Sequence, residues 1–141
     1  MLKKIILVLL LVSSVFSSEI KWEKDFNTAV EKAKKLNKPI FFVSSRHTCR
    51  YCVILEKTTF SDARVIKDLN DNFVSVVAYS DENDYMPKQL WRPGTPAMWF
   101  LKSDATPMFE PLMGAYKASD VLQALKQVKK EFTAMNAKGK K

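Results

Sequence analysis

The chain has 141 residues, 47% hydrophobic and 27% charged, and a formal net charge of +8 at pH 7. That length suits one domain with a core of useful size, and 3 glycines and 6 prolines exclude a collagen-like period or a Gly/Ser linker. The positive residues are scattered instead of forming a basic stripe interleaved with aromatics, which argues against a nucleic-acid partner.

Lys3 and Lys4 precede an apolar run over residues 5–12, followed by Val15-Phe16-Ser17-Ser18. This is the pattern of a secretory signal peptide. The run is shorter than the roughly 20 residues that span a bilayer, and Val15 and Ser17 suit the −3 and −1 positions of a cleavage site. Residues 1–17 are therefore expected to be removed, leaving one domain over residues 18–141 with a basic tail at 136–141. Cleavage takes away two lysines and no acid, so the mature charge is +6. An uncleaved membrane anchor is the alternative.

Residues 19–23 suggest a short first strand with Ile20 and Trp22 on one face. Phe26, Ala29, Val30, Ala33 and Leu36 then recur at helical spacing, and Pro39 disfavours helix in the residue before it. Residues 40–43 are uninterrupted hydrophobe, as expected of a central strand covered on both faces. After a helix-compatible stretch at 53–59, Ser61 reads as the N-cap of another helix, with Phe60 and Val65 as a hydrophobic staple.

Residues 73–79 read as a second buried strand. The acidic cluster Asp81-Glu82-Asn83-Asp84 lacks the glycine and the downstream glutamate of a calcium loop and reads as a solvated loop, followed by a short helix through 88–91. Residues 97–101 form the next strand and 108–113 an edge strand, because Pro111 cannot donate to a ladder. A final helix, with Ser119 as N-cap, carries the stripe Val121, Leu125, Val128, Phe132 and Met135. The expected order is βαβαβαββα, with parallel units first and an antiparallel hairpin last.

The only two cysteines, Cys49 and Cys52, lie three residues apart between the strand at 40–43 and the following helix. Cys49 should sit at the helix N-terminus, where unpaired amides and the macrodipole favour a thiolate. Arg46, Arg50 and His47 would add positive charge and lower its pKa below the free value of roughly 8.5. Cys52, one turn further in, should be more buried and more protonated. The asymmetry supports a two-step exchange: Cys49 attacks a substrate disulfide, and Cys52 resolves the mixed disulfide. With no other cysteine, an oxidised monomer can hold only the Cys49–Cys52 bridge.

Other uses of the pair fit poorly. Val53 stands where covalent haem attachment needs histidine. Structural zinc needs four ligands, and one chain offers Cys49, Cys52 and its sole histidine, His47. No cysteine-protease triad can be assigned. The expected cofactor and metal content is therefore none. Glu56 shares the helix face of Cys52 and is a candidate proton acceptor or a solvated carboxylate near Lys57. His47 and Arg50 are candidates for tuning the thiol, and Tyr51 and Trp91 for apolar docking.

Cys49-Arg50-Tyr51-Cys52 after a buried strand, Gly94-Thr95-Pro96 before the next strand and the terminal helix together resemble the thioredoxin-like superfamily, especially its exported thiol–disulfide oxidoreductases. The resemblance runs from about residue 20 to residue 135. It implies an α/β thioredoxin fold, a central mixed sheet flanked by helices, over residues 18–141. It also implies that Pro96 is a cis-proline facing the two sulfurs, with the Thr95 backbone free to pair with an extended substrate. The departures are Thr48 where tryptophan is usual, Arg50-Tyr51 in place of Gly-Pro, and Val43 at the position of the family's buried acid.

The expected function is an exported enzyme that reduces protein disulfides, in the periplasm or otherwise secreted. Its partners would be proteins carrying disulfides or thiols and a membrane-bound thiol reductant that recharges it, with the chain itself a monomer. The alternatives are a disulfide oxidase or isomerase, and a redox-inert secreted binding module on the same fold.

Overall fold

The strand expected at 40–43 is the centre of the sheet. In the computed structural model, which describes residues 17–140, it runs over Ile40–Ser45 (β1) with all six side chains buried. β2 (Val74–Tyr79) pairs with it in parallel and β3 (Ala97–Leu101) pairs antiparallel on its other side. β4 (Leu112–Met113) is antiparallel to β3, so the order is β2-β1-β3-β4. The expected signal peptide lies, except for Ser17, outside the described residues.

Alternation along β1 feeds two cores. Ile40 and Phe42 point to one face, against Phe26, Ala29 and Ala33 of α1 (Phe26–Leu36) and against Trp99 and Leu101. Phe41 and Val43 point to the other. There they meet Leu55 of α2 (Arg50–Lys57), Leu69 of α3 (Ala63–Asn72) and Leu125 of α4 (Ala118–Lys138). An interior strand packed on both faces must be apolar at every position, which is why 40–43 shows no alternation.

The helix ends follow capping chemistry. Asp25 accepts from the Thr28 N–H at 2.8 Å to open α1, and Asn37, left-handed at φ 50°, closes it before Pro39. α4 buries Val121, Leu125, Val128 and Phe132, while Met135, the last residue of the expected stripe, is more than a third exposed. No helix of the described residues is long and apolar enough to cross a membrane.

Several expectations are corrected. Residues 19–23 contribute only an isolated bridge on the outer edge of β2, Trp22 to Ser75, with the Glu23 N–H donating to the Ser75 carbonyl at 2.8 Å before the chain enters α1 at Phe26. The N-cap of α3 is Asp62, accepting from the Arg64 N–H at 2.9 Å, and Ser61 ends a 3₁₀ turn over Thr59–Ser61. The carboxylate wins the cap because it also pairs with the Arg64 guanidinium at 2.8 Å. The short helix expected through 88–91 is a 3₁₀ turn, Lys88–Leu90, and another 3₁₀ turn, Ser80–Glu82, precedes it. β3 returns antiparallel, so no long crossover is required.

The edge strand shrinks to two residues beyond Pro111, with a further bridge from Leu101 to Pro107. Lys117 occupies the N-cap position of α4 without a side-chain cap, and Ser119 lies inside the first turn.

Candidate active site

β1 ends at Ser45, and the chain turns through residues 46–48 before Cys49 caps α2. The Cys49 backbone is extended, and its Sγ accepts a hydrogen bond from the Cys52 N–H at 3.2 Å. A sulfur thus takes the place of the usual capping oxygen. Negative charge on that sulfur is favoured by the amides of the first helical turn.

On the opposite side the Cys49 thiol donates to the Thr95 carbonyl at 3.3 Å, across a separation of 46 residues. The Thr95–Pro96 peptide bond is cis. Gly94 enters this turn at φ +118°, a conformation that side chains oppose. The Gly114 N–H donates to the Pro96 carbonyl at 2.9 Å and fastens the turn to β4. Cys49, Cys52, Thr95 and Pro96 therefore meet at the end of the sheet.

The two cysteines are free thiols in unlike surroundings. Cys49 is partly exposed, and Cys52 is 1% exposed. Burial opposes ionisation of Cys49, but hydrogen bonds with the Cys52 thiol, the Thr95 side chain and the backbone of Cys52 and Tyr51 outweigh it and lower its pKa. Burial pushes the Cys52 thiol up, the bond to Cys49 adds to this, and Ser45, Thr95 and the Arg46 backbone offset it in part. The expected asymmetry of the pair is present in the geometry.

Of the two expected causes, the amides at the start of α2 are in place and the added positive charge is not. None of the leading contributions at Cys49 comes from Arg46, Arg50 or His47. Both arginines are exposed, and His47 is directed at the segment after β2. The His47 N–H donates to Asp81 Oδ2 at 2.9 Å, and its Nδ1 lies 3.3 Å from Asp81 Oδ1. Its Nε2 lies 3.7 Å from Glu82 Oε1, and its ring stacks on Tyr79 with centroids 3.9 Å apart. The acidic cluster, read from sequence as a solvated loop, anchors the loop that carries the cysteines.

Glu56 is exposed on α2 and accepts from the Tyr79 hydroxyl at 3.1 Å. Val43 is buried beside Cys52, in the wall of a shared cavity. Tyr51 and Trp91, 58% and 60% exposed, are available as an apolar surface. Arg92 braces the turn after Trp91: its guanidinium donates to the Trp91 carbonyl at 2.9 Å, pairs with Glu110 at 3.1 Å and lies 4.6 Å over the Trp99 ring. Among the described residues, no group of three or more His, Cys, Asp or Glu side chains is placed to hold a metal ion.

Ser45 and Tyr79 escaped the sequence reading. They are register partners in the parallel β1–β2 pair, both at the strand ends nearest the cysteines. The carboxyl ends of parallel strands are where ligands gather in α/β sheets, and that rule applied to residues 73–79 points to Tyr79.

Comparison with known proteins agrees with this architecture. Among curated relatives, the uncharacterized protein B0495.5 of Caenorhabditis elegans is 36% identical over 72 residues, 51% of this chain and 10% of that protein. Spermatogenesis-associated protein 20 of Rattus norvegicus is 30% identical over 99 residues, 67% of this chain and 12% of that protein. The chain thus spans about a tenth of the length of these relatives.

Solved structures share the fold. The DsbH oxidoreductase superposes with a TM-score of 0.67 at 14% identity, covering 83% of this chain and 89% of that one. A thioredoxin from Thermus thermophilus gives 0.65 at 24% identity, covering 78% and 87%. The Neisseria meningitidis DsbD C-terminal domain in its oxidised form gives 0.57 at 19% identity, covering 72% and 90%. The family model Thioredox_DsbH, described as protein of unknown function, DUF255, matches residues 10–140. With the thioredoxin-like fold and a match across nearly its whole length, the chain belongs to the Thioredox_DsbH family.

Proposed function

We propose that this protein is an exported thiol–disulfide oxidoreductase that reduces protein disulfides, with Cys49 as nucleophile and Cys52 as resolving thiol. The observation that carries the reading is the unlike pair at the start of α2: a partly exposed sulfur held by the Cys52 amide at 3.2 Å, and a buried thiol one turn on. Cys49 thiolate attacks a substrate sulfur, forming a mixed disulfide and releasing the other substrate sulfur as thiolate. Cys52 then attacks Cys49, closing the Cys49–Cys52 disulfide and freeing the second substrate sulfur. Two electrons pass from the dithiol to the substrate, and a membrane-bound thiol reductant would return them.

The likeness to the DsbH oxidoreductase and to the DsbD C-terminal domain supports thiol chemistry on this fold. Export rests on the signal-like pattern of residues 1–17. Thr95 and Pro96 would form the shelf for an extended substrate, flanked by Tyr51 and Trp91.

The test is trapping. Cys52→Ser expressed in its native compartment should accumulate mixed disulfides through Cys49, and the wild-type protein should reduce a model protein disulfide. A reduction potential near those of strongly oxidising disulfide donors, together with failure in that reduction, would reverse the direction. An absence of trapped species would leave a redox-inert binding module as the better reading.

A further inference from the structure

Behind the cysteine pair a cavity of about 430 Å³ opens between α2, the β1–β2 face and the segment leading into α1. Cys52, Ser45, Val43, Tyr79 and Glu56 are in its wall. The space admits several water molecules, each with a share of about 30 Å³ in the liquid, and the polar wall supplies their partners. Cys52 must lose a proton to resolve a mixed disulfide, and Val43 can accept none.

Glu56 can. It stands four residues after Cys52 on the same face of α2, and it is exposed at the cavity, so a proton it receives has a way to solvent. Its carboxylate is held in place by the Tyr79 hydroxyl at 3.1 Å. Tyr79 is held in turn by the His47 ring, stacked at 3.9 Å and 18°, and His47 is tied to Asp81. Burial first, and then the Glu56 charge, push the Tyr79 phenol up to about 12, so near neutral pH it donates and cannot serve as the base.

Resting on the oxidoreductase reading above, we propose that Glu56 accepts the Cys52 proton through water in this cavity, and that Tyr79 is the positioning residue that keeps the carboxylate there. When Cys49 is bonded to a substrate sulfur, the Cys52 S–H bond breaks and its proton passes to Glu56. The Cys52 thiolate attacks Cys49 Sγ, so the Cys49–Cys52 bond forms and the Cys49–substrate bond breaks. The substrate sulfur leaves with the electron pair, and Glu56 releases its proton to solvent. The other titratable groups in the cavity wall are Tyr79 from β2 and Glu19 from the N-terminal segment, with Cys49 outside it next to Cys52 and with His47, Asp81 and Glu82 beyond the Tyr79 ring.

The test separates the two half-reactions. Reduced protein mixed with an aromatic disulfide, 5,5′-dithiobis(2-nitrobenzoate), should release one coloured thiolate on attack by Cys49 and a second on resolution by Cys52; Cys52→Ala identifies the first phase. In Glu56→Gln the first phase should stay within about twofold of wild type, and the second should slow by about tenfold or more near pH 7, since a positioned base is worth at least that much. Glu56→Asp should recover part of the loss. Tyr79→Phe, which keeps the ring on His47, should slow the second phase alone, and by less than Glu56→Gln.

A charge effect has the opposite sign, because removing a nearby negative charge favours both thiolates and would accelerate resolution. A second phase unchanged or faster in Glu56→Gln between about pH 6 and pH 9, or both phases slowed equally, overturns the proposal. A wild-type protein with no first phase overturns the oxidoreductase reading itself.

Discussion

The Cys52 N–H donates to Cys49 Sγ at 3.2 Å, so the proposed resolving residue is hydrogen-bonded through its amide to the proposed nucleophile. The same helical turn that gives Cys49 a bond to its sulfur buries the Cys52 thiol, which is 1% exposed. One local conformation therefore makes both halves of the asymmetry.

Alkylation should read this directly. Iodoacetamide should modify Cys49 well before Cys52 in the reduced protein, followed by mass spectrometry of peptides. Because hydrogen bonds hold the Cys49 pKa below the ordinary thiol value, its rate should rise with pH and level off at a lower pH than that of a free thiol. Cys52, whose pKa is raised, should gain reactivity only at higher pH. Equal rates at both sulfurs across this range would remove the basis for their assigned roles.

Leu55 holds α2 against the sheet. It is 1% exposed and packs with Phe41 and Val43 in the core beneath the cysteines. Leu55→Ala should cost about 2 to 5 kcal/mol in urea unfolding, the range for truncating a buried leucine. It should also raise the alkylation rate of Cys52, since the buried thiol depends on the same helix seat.

Arg92 is the brace of the turn before Thr95-Pro96. Arg92→Ala removes the bond to the Trp91 carbonyl and the contact over Trp99, and should destabilise the protein by about 1 to 2 kcal/mol. Glu110→Ala should change stability little, because that carboxylate is 84% exposed and its pairing is screened. Thermal unfolding of the two variants side by side checks the contrast.

Asp62 provides a pH test. Hydrogen bonds from the Arg64 side chain and backbone hold its carboxyl down to about 2, below the ordinary aspartate value. A depressed carboxylate pKa contributes stability above the unfolded value of about 3.9 and loses it as pH falls through the folded value. The melting-temperature advantage of wild type over Asp62→Ala should therefore be full above about pH 5 and largely gone near pH 2. An advantage that persists unchanged at the acid end would assign the cap's effect to something other than this carboxylate.

Where the chain's own periodicity was strong, the fold was legible. The α1 face through Ala33, the apolar run of β1 and the α4 stripe through Phe132 pack as their spacing implies, while Leu36 at the end of the α1 face is 47% exposed. Weak signals failed where neighbours decide the outcome: residues 19–23 have strand-forming side chains but only a bridge to Ser75. Ser61 lost the cap to Asp62 because a carboxylate can also pair with Arg64, a competition that capping preference alone does not rank.

By itself, the sequence determined the cysteine pair, its place after a buried strand and the Thr95-Pro96 motif, because these depend on residue identity and short-range spacing. Tertiary structure decided the rest of the site. The parallel register that sets Tyr79 beside Ser45, the cavity that joins Cys52 to Glu56 and the turn of His47 toward Asp81 all bring distant segments together. Local helical geometry makes the two sulfurs unequal, but only packing between β2 and α2 places a tethered carboxylate where a proton from Cys52 would need to go.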